Sequence, residues 1–482
     1  MKKFFIMTLC ILLTGCAKFQ YSPEPIDTSN ILNDINTWSI YDQGLNAYLE
    51  SNGIPPGNLN GSTFTLSRLY LTGLYYSPEM QLAFKKYKKA RIIFEHSDYR
   101  INPEFSIPFE HHSETPDGIS RWTIGAVLSF IYERKGKREA RVAEAEVQLF
   151  NAELAMNKIA FELYKDIQMQ FHNYCISVLR VNDLENEIKT LNDLSDQLQK
   201  SYDLGGVSQF EISTVKLELQ QRLFELSLQK NKMQEYRDNL LSLTNLAASN
   251  YENIEIDIID PVTYTKELYS GSELLNTDIV TLQSQLMSRH LDMALQLNAY
   301  AQAEAKLRLE IEKQYPDIVL SPGFIFDQSD KIWTLGASWI IPVFENSSQN
   351  LEILKALEDR KISQQEIITL QKKLLDTLYQ MQQSMLRHHN TIRESDQIID
   401  SIEERAKIIE KQVELGGVDR LAILRNRIEY YKAKQAQSDI YHGAINSMID
   451  LQNLLQLTPG NLRIEQVVAS WLDKHEEKLR NE

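Results

Sequence analysis

Residues 122–132 read Trp122-Thr123-Ile124-Gly125-Ala126-Val127-Leu128-Ser129-Phe130-Ile131-Tyr132, and residues 333–342 read Trp333-Thr334-Leu335-Gly336-Ala337-Ser338-Trp339-Ile340-Ile341-Pro342. Downstream of each, a long proline-free stretch ends in Leu-Gly-Gly-Val, at Leu204-Gly205-Gly206-Val207 and Leu415-Gly416-Gly417-Val418. The tryptophans are 333 − 122 = 211 positions apart, and the first glycines 416 − 205 = 211. Two motifs holding one offset describe a duplicated unit: strand, long helix, glycine turn, return helix.

Outward from the motif, the first strand divides with period 2. Trp122, Ile124, Ala126, Leu128 and Phe130 share one face, and Thr123, Gly125, Val127 and Ser129 the other. A bulky apolar face against a small or polar one suits a strand with lipid outside and a wet lumen inside, and a soluble hairpin with one buried face alternates in the same way. Ahead of it, Asn102-Pro103 ends a helix, Phe105, Ile107 and Phe109 alternate with Ser106 and Pro108, and Ser113 to Gly118 form a polar turn. In the second copy Tyr315-Pro316 opens a strand through Ile318, Leu320 and Phe326. Asp327 to Lys331 turn it, and Trp333, Leu335, Ala337, Trp339 and Ile341 line the return. Trp122 and Trp333, heading the return strands, suit anchors at a membrane interface.

No proline occurs between Pro116 and Pro261 or between Pro342 and Pro459. The roughly 65 residues from Lys137 to Tyr202 make about 100 Å of helix. Leu184, Ile188, Leu191, Leu198 and Tyr202 follow a 3–4 spacing, as do Ile392, Ile399, Ile402, Ala406, Ile409 and Val413 in the second copy. This is the seam of helices that supercoil on neighbours. New seams follow each Leu-Gly-Gly: Ile212, Val215 and Leu219, then Leu421, Leu424, Ile428 and Tyr431. Gly-Gly permits the positive φ of a tight reversal, so each pair marks the tip of a helical hairpin.

The division expected is residues 1–15 as signal peptide, 16–62 as an acylated, Pro- and Gly-containing tail that is a poor helix and lies against other parts of the protein, and 63–249 as repeat 1 with its β-hairpin at about 103–132. Residues 250–278 follow as an aperiodic connector, 279–458 as repeat 2 with its hairpin at about 316–343, and 459–482 as a charged, peripheral C-terminal tail. Ser77-Pro78 suits a helix N-cap followed by its first turn.

Lys2 and Lys3 precede an apolar run from Phe4 to Leu13, too short to span a bilayer and fitting a secretory leader. Leu13-Thr14-Gly15-Cys16 resembles the bacterial lipobox. That resemblance makes Cys16 the lipidated mature N-terminus, and Ala17 lacks the aspartate that commonly retains lipoproteins in the inner membrane. Cys10 leaves with the leader. Only Cys175 remains, as a packing residue, and no intramolecular disulfide is possible.

The net charge of −15, with no basic patch apparent, argues against nucleic acid as a partner and reads as a solvated helical surface. There is no nucleotide loop, Cys-x-x-Cys, His-Glu-x-x-His or nucleophile elbow, so neither an enzyme nor a cofactor is expected. His388 and His389, adjacent on a helix, point about 100° apart and do not share one ion. His111 and His112 flank an exposed turn, and no metal site is assigned.

Four spanning strands cannot close a barrel, since outer-membrane barrels begin at about eight, and open edges in lipid are costly. The chain must therefore oligomerise if these strands meet lipid.

Tyr315-Pro316-Asp317-Ile318 leading to Trp333-Thr334-Leu335-Gly336, the exit Ile341-Pro342-Val343-Phe344, both Leu-Gly-Gly turns and the continuation Val418-Asp419-Arg420-Leu421-Ala422-Ile423-Leu424 resemble the TolC-like outer-membrane efflux family over nearly all of the chain after the lipobox. The string Tyr315 to Phe326 is most similar to members paired with cobalt–zinc–cadmium-type cation pumps. The resemblance implies an α+β membrane protein and a homotrimer. Its twelve-stranded β-barrel, four strands per chain, would stand in outer-membrane lipid and continue as a long periplasmic α-helical barrel. It also implies a passive exit duct of a tripartite system, driven by an inner-membrane pump of the resistance–nodulation–division type through a periplasmic adaptor (membrane fusion) protein. Gly205, Gly206, Val207 and Ser208, with Gly416, Gly417, Val418 and Asp419, would form the adaptor-facing tips.

Two departures stand out. Some members place two aspartates just past the second turn; the matching residues here are Ala422 and Arg425, and Glu211 and Thr214 in the first copy. Glu211, Arg420 and Arg425 are then the candidate gate, with Arg427 beside them, either solvated or paired between helices. Further, the exit Ile131-Tyr132-Glu133-Arg134-Lys135 lacks the proline of the second copy, so the two strand-to-helix turns must differ. A lipid-anchored periplasmic coiled-coil scaffold and the outer-membrane part of a type I secretion system are the alternatives.

Overall fold

The computed structural model describes residues 21–54, 63–270, 272–328, 330–341, 348–457 and 463–481. The leader, Cys16 and the Pro342 exit lie outside these.

Helices α1 (Thr28–Asn36), α2 (Gln43–Ser51), α3 (Leu66–Tyr76) and α4 (Pro78–His96) lead to strands β1 (Glu104–Ser106), β2 (Phe109–His111) and β3 (Trp122–Tyr132). Helix α5 (Lys135–Asp203) and its return α6 (Gln209–Ser242) follow. After α7 (Pro261–Ser270), α8 (Ile279–Arg289) and α9 (Leu291–Glu312) come β4 (Ile318–Asp327) and β5 (Asp330–Ser338). Then come the long helix α10 (Ser348–Glu414), its return α11 (Leu421–Leu454), and α12 (Ile464–Asn481). The long helices have 69 and 67 residues and both return helices have 34. At ~1.5 Å per residue these are rods of about 100 and 50 Å.

Toward the tips the order of neighbours is α6–α5–α11–α10. Nearer the sheet α4 and α9 take the places of the return helices, giving α4–α5–α9–α10. Each long helix is thus accompanied by two shorter ones in succession, since an amphipathic rod must bury its apolar stripe along its whole length. The seam residues behave accordingly: Leu184, Ile188, Leu191, Leu198, Ile212, Ile392, Ile399 and Ile428 are buried, whereas Tyr202, at the tip, is exposed.

Two large cores sit where the short helices change over. One joins α2, α3, α4, the middle of α5, the end of α6 and α12. The other joins α7 to α11. Here the structure corrects several expectations. Within the tail, the described residues 21–54 form two helices, because Asp27 and Asp42 accept amide hydrogen bonds as N-caps and Leu45, Tyr48 and Leu49 find a core. The connector holds α7 and two 3₁₀ turns, with Tyr269 buried. The C-terminal segment is not peripheral: Trp471 is fully buried and its indole N–H donates to the Leu74 carbonyl at 3.1 Å. Helix α4 stops at His96, short of Asn102-Pro103. Ser77 caps α4 by accepting from the Met80 amide, with Pro78 in the first turn.

Gly73 of α3 lies against the end of α6, and a Cβ there would come within 2.5 Å of the Leu243 carbonyl oxygen. Gly73→Ala should therefore lower stability by ~1–3 kcal/mol through overpacking. Gly417→Ala, whose Cβ would meet only the Gln412 carbonyl at 3.6 Å, should change it far less. Thermal denaturation in detergent compares the two.

Candidate membrane face and helical tips

The strands form one antiparallel sheet in the order β1–β3–β4–β5, with β2 also on β3. β1 and β2 are one strand interrupted at Ile107-Pro108. Proline has no N–H to donate, and the Gly125 amide donates to its carbonyl at 3.0 Å across the break. A Cβ on Gly125 would meet the Pro108 ring at 2.8 Å, which explains glycine at that point of the motif. The pairing of β3 with β4 joins the two hairpins, with Ile124 opposite Phe326 and Tyr132 opposite Ile318. Neither the outer edge of β1/β2 nor that of β5 has a strand partner among the described residues.

Register places Phe105, Phe109, Ile124, Phe130, Leu320, Phe324, Trp333 and Leu335 on one face. Trp333 is 82% and Leu335 76% exposed, so in one chain this large apolar face is open. Trp122 and Trp333 both lie on it, stacked or tilted against Phe109 at 4.8 Å and Phe324 at 4.9 Å, near the hairpin turns. The opposite face is small or polar along much of its length. The Ser129 and Ser321 hydroxyls meet at 2.9 Å, Thr123 donates to Asp327, and His112 Nε2 lies 2.9 Å from the Thr123 hydroxyl. β3, β4 and β5 have 11, 10 and 9 residues, the length of a tilted spanning strand. β5 ends at Ser338, so Trp339 and Ile341 extend beyond the ladder as exposed residues.

At the far end, Gly205 and Gly416 adopt φ of +79° and +72°, the left-handed cap that a side chain resists. The Gly206 amide donates to the Ser201 carbonyl and the Gly417 amide to the Gln412 carbonyl, each at 2.8 Å, closing the two turns alike. Ser208 caps α6 by accepting from the Glu211 amide, and the Asp419 carboxylate accepts from the Leu421 amide at 3.4 Å. Leu191, Leu194 and Leu198 pack with Ile212 and Ile428, and with Val207, Leu421 and Leu424, so the two tips share one core. Leu204 and Phe210 project from it, 88% and 77% exposed. Glu211, Arg420, Arg425 and Arg427 are exposed, and the three arginines make no ion pair among the described residues. The pairing within one chain is instead made by Arg405, whose Nε donates to Asn426 Oδ1 at 2.6 Å and whose head also meets Glu429.

Higher up, a polar clamp interrupts the seam. Glu187 is fully buried, ion-paired with Arg222 Nε of α6 at 3.0 Å and accepting from the Gln435 amide of α11 at 2.5 Å. Burial raises its carboxyl, and the Arg222 guanidinium opposes that. Sequence reading passed over it, although a glutamate between Leu184 and Leu191 stands on the apolar stripe. One turn away, burial lifts Asp183 to about 6 against the pull of Lys434.

His388 packs over Gly443, whose added Cβ would lie 2.8 Å from the imidazole, while His389 stacks on Tyr269 at 6.1 Å. The two rings therefore face different neighbours. His111 packs on Trp122 at 4.3 Å. Cys175 is buried, and burial pushes its thiol up to about 11. Among the described residues no cluster of three or more His, Cys, Asp or Glu could hold a metal, and no helix is long and apolar enough to cross a membrane.

No protein-family profile and no curated protein matches the sequence. Solved structures do match in fold. A membrane protein from Pseudomonas aeruginosa superposes with a TM-score of 0.63 at 12% identity, over 91% of this chain and 99% of that one. The outer membrane protein VceC from Vibrio cholerae gives 0.63 at 16%, over 81% and 95%. The CmeC outer membrane channel from Campylobacter jejuni gives 0.60 at 12%, over 95% and 97%. The chain has the fold of outer-membrane channel proteins.

Asp183 supplies a pH test. Its folded pKa lies above the usual 3.8 at about 6, so the stability linked to its proton is present below the unfolded value and is lost as pH rises through about 6. Asp183→Asn should therefore melt at a higher temperature than the parent at pH 7.5, and this advantage should vanish at pH 4. Paired melting curves at the two pH values check it.

Proposed function

We propose that the protein is the outer-membrane exit duct of a tripartite export system, working as a homotrimer. The observation that carries this reading is the four-stranded sheet with its bulky face exposed and both edges open, mounted on helices of 67 and 69 residues. In lipid each unpaired backbone group costs several kcal/mol, so such a sheet is stable there only when copies close it into a barrel. Three chains of four strands make a twelve-stranded wall. The helical row ends in α6 on one side and α10 on the other. Leu223 and Phe224 on the first, and Ile362 and Ile368 on the second, are exposed side chains for contact with the next copy. The sheet would then continue as a helical tube into the periplasm, with Cys16 carrying the lipid anchor and Trp122 and Trp333 at the membrane interface. The 211-residue offset and the matched helix lengths support an origin by duplication.

A duct requires no catalytic group and no tight site, since strong binding slows passage. Energy comes from an inner-membrane pump, and a periplasmic adaptor meets the tips at Gly205 to Ser208 and Gly416 to Asp419. Glu211, Arg420 and Arg425, the arginines unpaired among the described residues, stand where pairs between copies would close the entrance. The sequence from Tyr315 to Phe326 supports a cation exporter as the pump.

The two faces of β5 separate the duct from a soluble scaffold. Leu335→Arg puts a charge in hydrocarbon and should cost ~2–4 kcal/mol, removing the heat-resistant trimer from outer-membrane fractions. Ser338→Arg, on the opposite face, should leave the trimer and alter its conductance in planar bilayers. A tolerated Leu335→Arg would overturn the reading. For cargo, a deletion strain should gain sensitivity to cobalt, zinc or cadmium salts; sensitivity gained only to dyes, detergents or antibiotics would exclude the metal assignment.

A further inference from the structure

We propose that helix α10 of one copy packs along α6 of the next, with Ile398 set against Phe224. This rests on the homotrimer proposed above and fixes the register in which its copies meet. The twin long helices are unequally covered. Helix α5, of 69 residues, has 23 buried side chains among the described residues, whereas α10, of 67, has 8. In the row α6–α5–α11–α10, α5 has a helix on both flanks, and α10 has one flank without a helix among the described residues. A long amphipathic rod covered on one flank alone calls for a second neighbour.

Duplication selects that neighbour. Inside the chain α5 packs on α11, the return helix of the other repeat. The same packing applied to α10 calls for α6, the return helix of a first repeat, and its own α6 stands at the opposite end of the row. The α6 of another copy fills the place, and a ring satisfies every copy at once. The offset of 211 also supplies the register. On α5 and α11, Glu187 accepts from Gln435. Shifted by the offset, Glu187 becomes Ile398 of α10 and Gln435 becomes Phe224 of α6.

Exposure agrees with that pair: Ile398 is 57% and Phe224 67% exposed, and both point away from their own hairpin. Arg222, two positions before Phe224, turns to Glu187 of α5. Asp396, two before Ile398, accepts from Gln437 of α11. Residues two apart on a helix face about 200° apart. Height agrees too. Rotation about one axis preserves height, so residues level along the row of one chain stand level across the joint between copies. Arg222 meets Glu187, Glu187 meets Gln435, and Gln437 meets Asp396. These contacts bring α6 at 222–224 level with α10 at 396–398. Leu217 and Leu228, two turns before and one turn after Phe224, continue the exposed apolar stripe on its side of α6. The joint between copies is thus apolar at the height where the joint inside each copy holds a buried charge pair.

The full-length chain carrying Phe224→Cys and Ile398→Cys, oxidised in isolated outer membranes and run on non-reducing gels, tests this. Within one copy the two positions are three helix spacings of about 8–10 Å apart, beyond the reach of a disulfide, so any link joins copies. The buried Cys175 stays. The expected product is a reducible covalent trimer. Phe224→Cys with Ile408→Cys, shifted about 15 Å toward the tip, should give less than about a tenth as much. Phe224→Glu alone should lower the recovered trimer about tenfold by burying an unpaired charge, and adding Ile398→Lys should restore it. A parent trimer, sized by light scattering, in which the first cysteine pair stays unlinked or the shifted pair links equally would overturn the register and leave the duct reading intact. So would a Phe224→Cys thiol that reacts freely with a maleimide in that trimer, as on a surface kept for another protein, or a charge reversal without rescue. A parent that is monomeric in detergent would overturn the duct reading and the register together.

Discussion

An unpaired strand edge can be hydrated in water but has no partner in hydrocarbon, and on the proposed reading this asymmetry governs the whole chain. The sheet satisfies its interior ladder, β3 on β4 included, and among the described residues leaves two edges open. Its bulky face cannot be folded inward, because the other face is narrow and carries Thr123, Ser129, Ser321 and Asp327. On the proposed reading both deficits are removed by the same event, closure with further copies in a membrane. Neither can be removed by one chain.

The helices solve a related problem at a larger scale. A rod of about 100 Å has more apolar stripe than one return helix of about 50 Å can cover. Hence α4 and α9 complete the cover above, and the bulk of the buried side chains gathers where the short helices succeed one another. The first of the two cores is where Tyr48 of α2 and Trp471 of α12 are buried, so these two helices help to fasten the changeover. Below it, the seam is interrupted by the Glu187–Arg222–Gln435 clamp, which ties α5 to both return helices. A buried charge pair of this kind adds little net stability but penalises any slip in register.

Elements with a strong local signal were legible in the sequence. The strands show alternation, the long helices lack proline, and the tips have Gly205 and Gly416 in the left-handed region. Elements whose signal depends on distant partners were not. Helices α1 and α2 lie among prolines and glycines, α7 is short, and α12 is highly charged after Trp471. In each case capping or a remote core outweighs a weak pattern. Glu187 was readable in principle as a charge on an apolar stripe, and the basic run Lys85-Lys86-Tyr87-Lys88-Lys89-Ala90-Arg91 of α4 was masked by the net charge of −15. The arginines at the tip drew attention as residue types, whereas the helix pair there is tied through Arg405 and Asn426.

Period and spacing alone determine that this chain builds two strand pairs, two helical hairpins of great length and two glycine tips, because backbone geometry converts each pattern directly into a local form. Tertiary structure decides that the hairpins share one sheet, that one strand breaks at Pro108, that α2 and α12 enter the core, and which charges are buried. Those outcomes depend on contacts between residues hundreds of positions apart, and no local period encodes them.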